Sequence, residues 1–260
     1  MERMRRTRLL LVALTAVIAA RAPRAAPPTP IVVELFTSEG CSDCPPADLV
    51  LQKLVDAQSI GGAEIIGLGE HVDYWDRLGW KDRFSSSALT KRQLEYADHF
   101  GGNSMYTPQM VVDGRAEFIG SDASAATRAI EKLLAQPHAT IHLALDGVPA
   151  ITSSSVSVVA SASDLPHVSR GDRAELLLVV IEDGLRSDVK HGENQGRTLA
   201  HAAVVRYMAT VGVAGDPPVR AEIPLGSDWQ RTNLKVVALA QEQKSRTILG
   251  SASMALKNAR

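Results

Sequence analysis

The chain offers few of the features that usually advertise a function. It has only two cysteines in 260 residues. Two cannot staple a fold of this length, so the chain is not a disulfide scaffold. Charge of one sign is also missing: 28 basic against 29 acidic residues leave a formal net charge of −1. With no polybasic arm and no aromatics interleaved with basic residues, the composition argues against nucleic acid as a partner. The apolar run Leu9 to Ala20 falls well short of the roughly 20 residues that span a bilayer. Past the first thirty residues there is no internal repeat and no low-complexity segment. What is left, 45% hydrophobic and 22% charged, is ordinary globular material with ample side chains for a core.

The N-terminus stands apart. Arg3, Arg5, Arg6 and Arg8 precede Leu9 to Ala20, and an Ala/Pro/Arg-rich stretch then runs to Pro30. A basic region, a short apolar region and small residues are the order of a secretory signal. Residues 1–28 therefore read as a signal peptide and leader. They touch a membrane only transiently and deliver a periplasmic or secreted protein to a compartment where disulfides persist.

The two cysteines stand together. Ile31 to Phe36 reads as a buried strand, followed by a Ser/Glu/Gly loop and a helix opening at Cys41, with two residues between it and Cys44. At a helix N-terminus, free N–H groups and the helix dipole favour negative charge. A thiol there can titrate well below its usual value of about 8.5 and act as a nucleophile near neutral pH. The second thiol, about a turn later, is close enough to open and close a disulfide. A small structural disulfide that never turns over is the competing reading. Glu39 and Asp43 flank the pair, and their negative charge opposes a thiolate, which predicts a less strongly oxidising couple.

Along the chain the periodicity predicts helices from the cysteines to Gly61, over Ser87 to Phe100, and around Ala125 to Leu134. Strands are expected at Glu64–Leu68, Met110–Val112 and Ala116–Ile119, with an Asp113-Gly114 hairpin turn. From about Pro137 short strands recur without helices: Thr140–Leu145, Ser155–Ala160, Leu176–Ile181, Arg220–Leu225, Leu234–Ala240 and Thr247–Met254. That pattern predicts an antiparallel sandwich. Thr198 to Thr210 could be strand or helix.

The segment VELFTSEGCSDC resembles the strand and active-site loop of glutaredoxins and thioredoxins, and Thr107-Pro108 resembles their cis-proline loop. The exported chain as a whole resembles a bacterial family of secreted thioredoxin-like proteins without an assigned function. The segments that carry this are ELFTSEGCSDCPPAD, HVDYWDRLGWKDRF, YTPQMVVDG and EDGLRSDVKHGENQGRTLAH. The resemblance implies an α/β thioredoxin-like fold over 29–137 followed by a C-terminal all-β sandwich-like domain over 138–260. It makes Cys41 the attacking thiol and Cys44 the resolving one, with Pro108 shielding them and the Thr107 backbone pairing with substrate. It also suggests Glu34 as a buried acid serving the second thiol; a half-exposed strand position is the alternative.

Other residues remain open. His71 and Asp73 follow a strand, where open α/β sheets place their binding sites. His71 could be a base, a metal ligand or a loop hydrogen-bonding group. Tyr74, Trp75 and Trp80 could wall a substrate or fill a loop. His191, Glu193, Asn194, Arg197 and His201 read as a solvated connection or a recognition surface. The expected function is thiol–disulfide exchange with an exported protein or a small-molecule thiol or disulfide, with no cofactor beyond the cysteine pair. One alternative is a Cu(I)-handling module using Cys41, Cys44 and either His71 or Met110. Another is a non-catalytic binding module.

Overall fold

In the computed structural model the described residues are 27–57, 59–102, 105–147 and 153–256. The expected signal segment up to residue 26 lies outside them. Their elements, in order, are β1 Thr29–Thr37, α1 Cys44–Ala57, β2 Ser59–Ile60, β3 Ala63–His71, α2 Ser87–Phe100, β4 Gln109–Val112, β5 Ala116–Ile119, α3 Ala123–Leu134, β6 Thr140–Leu145, β7 Ser155–Ser163, β8 Ala174–Glu182, β9 Leu185–Asp188, β10 Thr198–His201, β11 Val204–Val213, β12 Val219–Pro224, β13 Leu234–Glu242 and β14 Ile248–Ala255. Among them, no helix is long and apolar enough to cross a membrane.

An α/β thioredoxin-like fold followed by a separate sandwich is not what the chain builds. Strands take up 42% of the structure and helices 21%. One sheet runs through both halves in the order β14-β13-β8-β11-β3-β1-β4-β5, with β2 paired to β3. The junction is the parallel contact of β11 with β3, Val204 opposite Gly69. Gly69 N–H donates to the Ala203 carbonyl at 2.7 Å. A Cβ at Gly69 would stand 2.7 Å from the Ala202 carbonyl oxygen, so only glycine lets the chains approach this closely. The physical reason for the correction is the edge of β3. An open, apolar edge is a liability, and the second half covers it by continuing the sheet.

The sheet also curls. Ile248 N–H donates to the Asp113 carbonyl at 2.9 Å, bringing the start of β14 onto the β4–β5 turn. Gly114, at φ 63°, lies against the Arg246 and Thr247 backbone where no Cβ fits. Inside the curl, Val32, Ile66 and Leu68 pack on Leu177, Val179, Ile181, Val237, Leu239 and Ile248. On the outer side of β1 and β3, Ile31, Val33, Leu35 and Ile65 pack against Ala47, Leu51 and Leu54 of α1 and Ala126, Ile130 and Leu133 of α3. The alternation of β1 thus serves two cores at once. A second layer, β12-β7-β6, covers the far face of β8 and β13 through Val156, Val158, Ile223, Leu178, Val180 and Val236.

The helices follow local rules. Ser86 caps α2 by accepting from Ala88 N–H, and Gly101 ends it in the left-handed region. Asp122 caps α3 through Ala125 N–H. Helix α1 begins at Cys44, three residues later than expected, with Pro45 and Pro46 in the first turn where their missing N–H groups cost nothing.

Candidate functional site

Cys41 and Cys44 form a disulfide with Cα atoms 5.4 Å apart. Cys41 ends the loop after β1 and Cys44 opens α1, at the carboxyl end of the parallel pair β1 and β3. Both are buried, at 1% and 0% exposure. Between them Ser42 and Asp43 face solvent. The loop is pinned locally by Cys41 N–H donating to the Ser38 carbonyl and Cys44 N–H to the Cys41 carbonyl.

The second half of the chain reaches over this loop. Asn194, fully buried, donates through Nδ2 to both the Glu39 and Cys41 carbonyls at 2.9 Å. Its Oδ1 accepts from Arg197 at 2.7 Å. Glu193 Oε2 accepts from Ser42 N–H at 3.1 Å. The loop can approach because Gly192, at φ 79°, packs against Trp80, where a Cβ would stand 3.2 Å from the Trp80 Cβ. A segment expected to be a solvated connection is therefore a clamp on the cysteines. Its signal in the sequence was only its run of polar residues between two glycines.

The cysteine loop is joined through Glu39 to a cluster of buried ionisable side chains. His71, at the end of β3, donates from Nδ1 to Asp82 Oδ2 at 2.6 Å. Asp82 also accepts from the Glu39 and Phe84 N–H groups. Burial opposes the Asp82 carboxylate, but His71 and these N–H donors outweigh it and hold its pKa at about 2. Burial likewise opposes a charged His71, and the Asp82 charge and hydrogen bond overcome it, raising its pKa. The Glu39 carboxylate accepts from Trp80 Nε1 at 2.6 Å and lies 3.3 Å from His201 Nε2. Burial would raise it; the His201 contact prevails and the carboxyl titrates below its ordinary value. The His71, His201 and Phe84 rings meet edge to face at 4.9–5.5 Å.

Asp48 completes the cluster. It lies on α1 one turn after Cys44, 8% exposed, and accepts from Thr37 Oγ1 at 2.9 Å. Burial raises its pKa, only partly offset by His201, His71 and the Thr37 hydroxyl. Asp48 and Asp82 were not singled out in the sequence, and His201 was read only as part of a solvated connection or recognition surface, because the three come from α1, a loop and β10 and meet only in three dimensions.

The Thr107–Pro108 peptide is cis. Trp75 links this loop to the cysteines: its Nε1 donates to Thr107 Oγ1 at 2.8 Å, and its Cβ packs against Gly40. Pro108 is buried beside the first turn of α1: the Cβ position at Gly120 lies 3.3 Å from Pro108 Cβ and 3.1 Å from Ala47 Cβ. Asp73 stands further out, accepting from Thr90 Oγ1.

Glu34 is placed elsewhere. It points to the α2 face of β1, away from α1, where it accepts from Arg92 Nε at 2.7 Å and from the Tyr96 hydroxyl at 2.5 Å. Glu70 stands beside it with neither carboxyl oxygen hydrogen-bonded, and burial raises its pKa well above the usual range. Arg92, Tyr96 and Gln241 form a buried network that holds α2 to β1 and β13. Glu34 therefore helps seal the curl of the sheet.

Met110 is buried in the apolar layer under α1 and α3. Among the described residues, no group of three or more His, Cys, Asp and Glu side chains is arranged to hold a metal ion. A cavity of about 720 Å³ between α2, β8 and β11 is lined by no residue of the cysteine loop.

A crystal structure of protein AGR_C_4864 from Agrobacterium tumefaciens is similar at 25% identity, TM-score 0.69, over 91% of this chain and 98% of the other. HBP35 of Porphyromonas gingivalis matches at 14% identity and TM-score 0.63, over 91% of this chain and 78% of its own. The second likeness shows the fold alone. No curated protein matches the chain. The model of a family described as a protein of unknown function, DUF1223, matches residues 32–241, and the chain belongs to that family.

Proposed function

We propose that the chain is an exported thiol–disulfide exchange protein acting through Cys41 and Cys44. The observation that carries this is where the disulfide sits: on the loop–helix junction at the carboxyl ends of β1 and β3, between Glu39 and Asp48, which join it to a buried acid–base cluster. A staple would be poorly placed here. Closing so short a loop restrains the unfolded chain by only about 2 kcal/mol, the low end for a disulfide. Buried ionisable groups, in contrast, carry a desolvation cost and gather where chemistry needs them.

A substrate thiolate attacks Cys41 Sγ, the Cys41–Cys44 bond breaks, and Cys44 leaves as a thiolate. Attack by the substrate's second thiolate on its own mixed-disulfide sulfur then releases Cys41 and leaves the substrate oxidised. The reverse sequence reduces a substrate disulfide. Glu193 already occupies the Ser42 N–H, and Asp43 adds a second negative charge, so the Cys41 thiolate is modestly stabilised and the couple is not strongly oxidising.

Redox equilibration of the protein against glutathione tests the reading. A reversible two-electron couple more reducing than about −150 mV is expected, within the range of exchange proteins. Cys44→Ser should trap mixed disulfides with exported proteins. A disulfide that neither equilibrates nor traps a partner under native conditions would overturn the proposal.

A further inference from the structure

We propose that Asp48 is the acid–base partner of Cys44, exchanging its proton with solvent through a small cavity between α1 and β10. This rests on the exchange chemistry proposed above and assigns the proton step within it.

Three observations carry the inference. Asp48 follows Cys44 by four residues on α1, so the two side chains project from the same face, one turn apart. Its carboxyl is fixed by the Thr37 hydroxyl at 2.9 Å, so its position does not depend on a mobile chain. And it lines a cavity of about 190 Å³ with Pro45, Leu49, Arg197, Thr198 and Ala200. A water molecule takes about 30 Å³ of liquid volume, so this space holds several. Leu49, Arg197, Thr198 and Ala200 are exposed, so the cavity opens to solvent. Cys44 has no exposed surface of its own, whereas Asp48, one turn further along α1, lines the cavity that reaches solvent.

The proton step balances. When a substrate thiolate attacks Cys41 Sγ, the electron pair of the broken S–S bond goes to Cys44 Sγ. The protonated Asp48 carboxyl supplies a proton to that thiolate, and the Asp48 carboxylate is reprotonated from water in the cavity. In the closing direction the carboxylate takes the Cys44 proton as Cys44 attacks the mixed disulfide and the substrate leaves as a thiolate. Burial raises the Asp48 pKa and so favours the protonated form that this role requires. The groups facing Asp48 are Thr37 from β1, His71 from β3, Asp82 from the adjoining loop, His201 from β10 and Arg197 at the cavity mouth. The two histidines and the Thr37 hydroxyl favour its carboxylate, and Asp82 opposes it.

The test is the rate of disulfide reduction by dithiothreitol in the full chain from pH 4 to 9, corrected for the fraction of dithiothreitol thiolate. In the wild type the corrected rate should be high at acid pH and fall as Asp48 loses its proton. Asp48→Asn should flatten this profile and lower the acid limb by about a hundredfold, the lower end for general acid catalysis. Thr37→Val removes the hydroxyl that stabilises the Asp48 carboxylate, so it should move the midpoint to higher pH, which loss of packing alone would not do. Should Asp48→Asn not fold, the shift in Thr37→Val decides. A wild type that exchanges, with a profile that neither variant changes, overturns the role of Asp48 alone. A wild type that reacts with neither excess dithiothreitol nor glutathione disulfide overturns the exchange reading itself.

Discussion

His71 and Asp82 show how one buried pair links structure to pH. Asp82 is held at about 2 by His71 and two backbone N–H groups, so its stabilising share is complete above the unfolded value of 3.8 and is lost as pH falls through about 2. His71 is raised by the same contact, so its share is complete below 6.5 and is lost as pH rises through its folded pKa. Both shares are whole only between these limits, in mildly acidic solution. Asp82→Ala should cost about 3–5 kcal/mol there, as expected when one partner of a buried pair is removed. Urea denaturation at pH 5.5 measures the loss. NMR titration of the His71 ring should show its pKa falling in the variant; an unchanged His71 pKa would contradict the pairing.

At the scale of an element, the 189–197 loop governs access to the disulfide. Asn194 ties two carbonyls of the cysteine loop to the second half of the chain, and neither cysteine is exposed while it does so. Asn194→Ala leaves both carbonyls without that partner and should destabilise the fold by about 1–3 kcal/mol. It should also raise the rate at which a small thiol reduces Cys41–Cys44, read by alkylation of the released thiols at a fixed pH. A slower or equal rate would show that the loop does not limit access. Residues of this loop stood out in the sequence only as polar, since their partners lie some 150 positions away.

For the molecule as a whole, the shared sheet is decisive. Val32, Ile66 and Leu68 are covered by β8, β13 and β14, and the β3 edge by β11. Residues 29–137 alone would leave that apolar face and strand edge in water. Expressed separately, they should show no cooperative thermal transition by circular dichroism, whereas the full chain unfolds as one unit. A sharp transition in the fragment would argue for an independent unit. Similarity to the Agrobacterium protein across 98% of that chain agrees with a fold maintained over both halves.

Local physics was legible from the residues alone. The period-2 and period-3.6 patterns placed β1, α2, the β4–β5 hairpin and β6 to β8, because burial of one face is written in the spacing of apolar side chains. The two-residue interval between Cys41 and Cys44 made their pairing readable as well. Strand partners and buried charges were not, since neither depends on sequence neighbours. Glu34 looked like a candidate acid for the second thiol, yet the pleat of β1 turns it to the face that α2 and Arg92 seal. Asp48 drew no reading in the sequence, and only the packing of β10 and Thr37 around it makes it a buried acid one turn from Cys44. Sequence determined most of the strands and helices, though not β2, β9 or the strands over Thr198 to Thr210, and where the two thiols stand. Tertiary structure decided that both halves share one sheet and which carboxyl stands behind the disulfide, because pairing across the chain and loss of water are collective properties of the folded molecule.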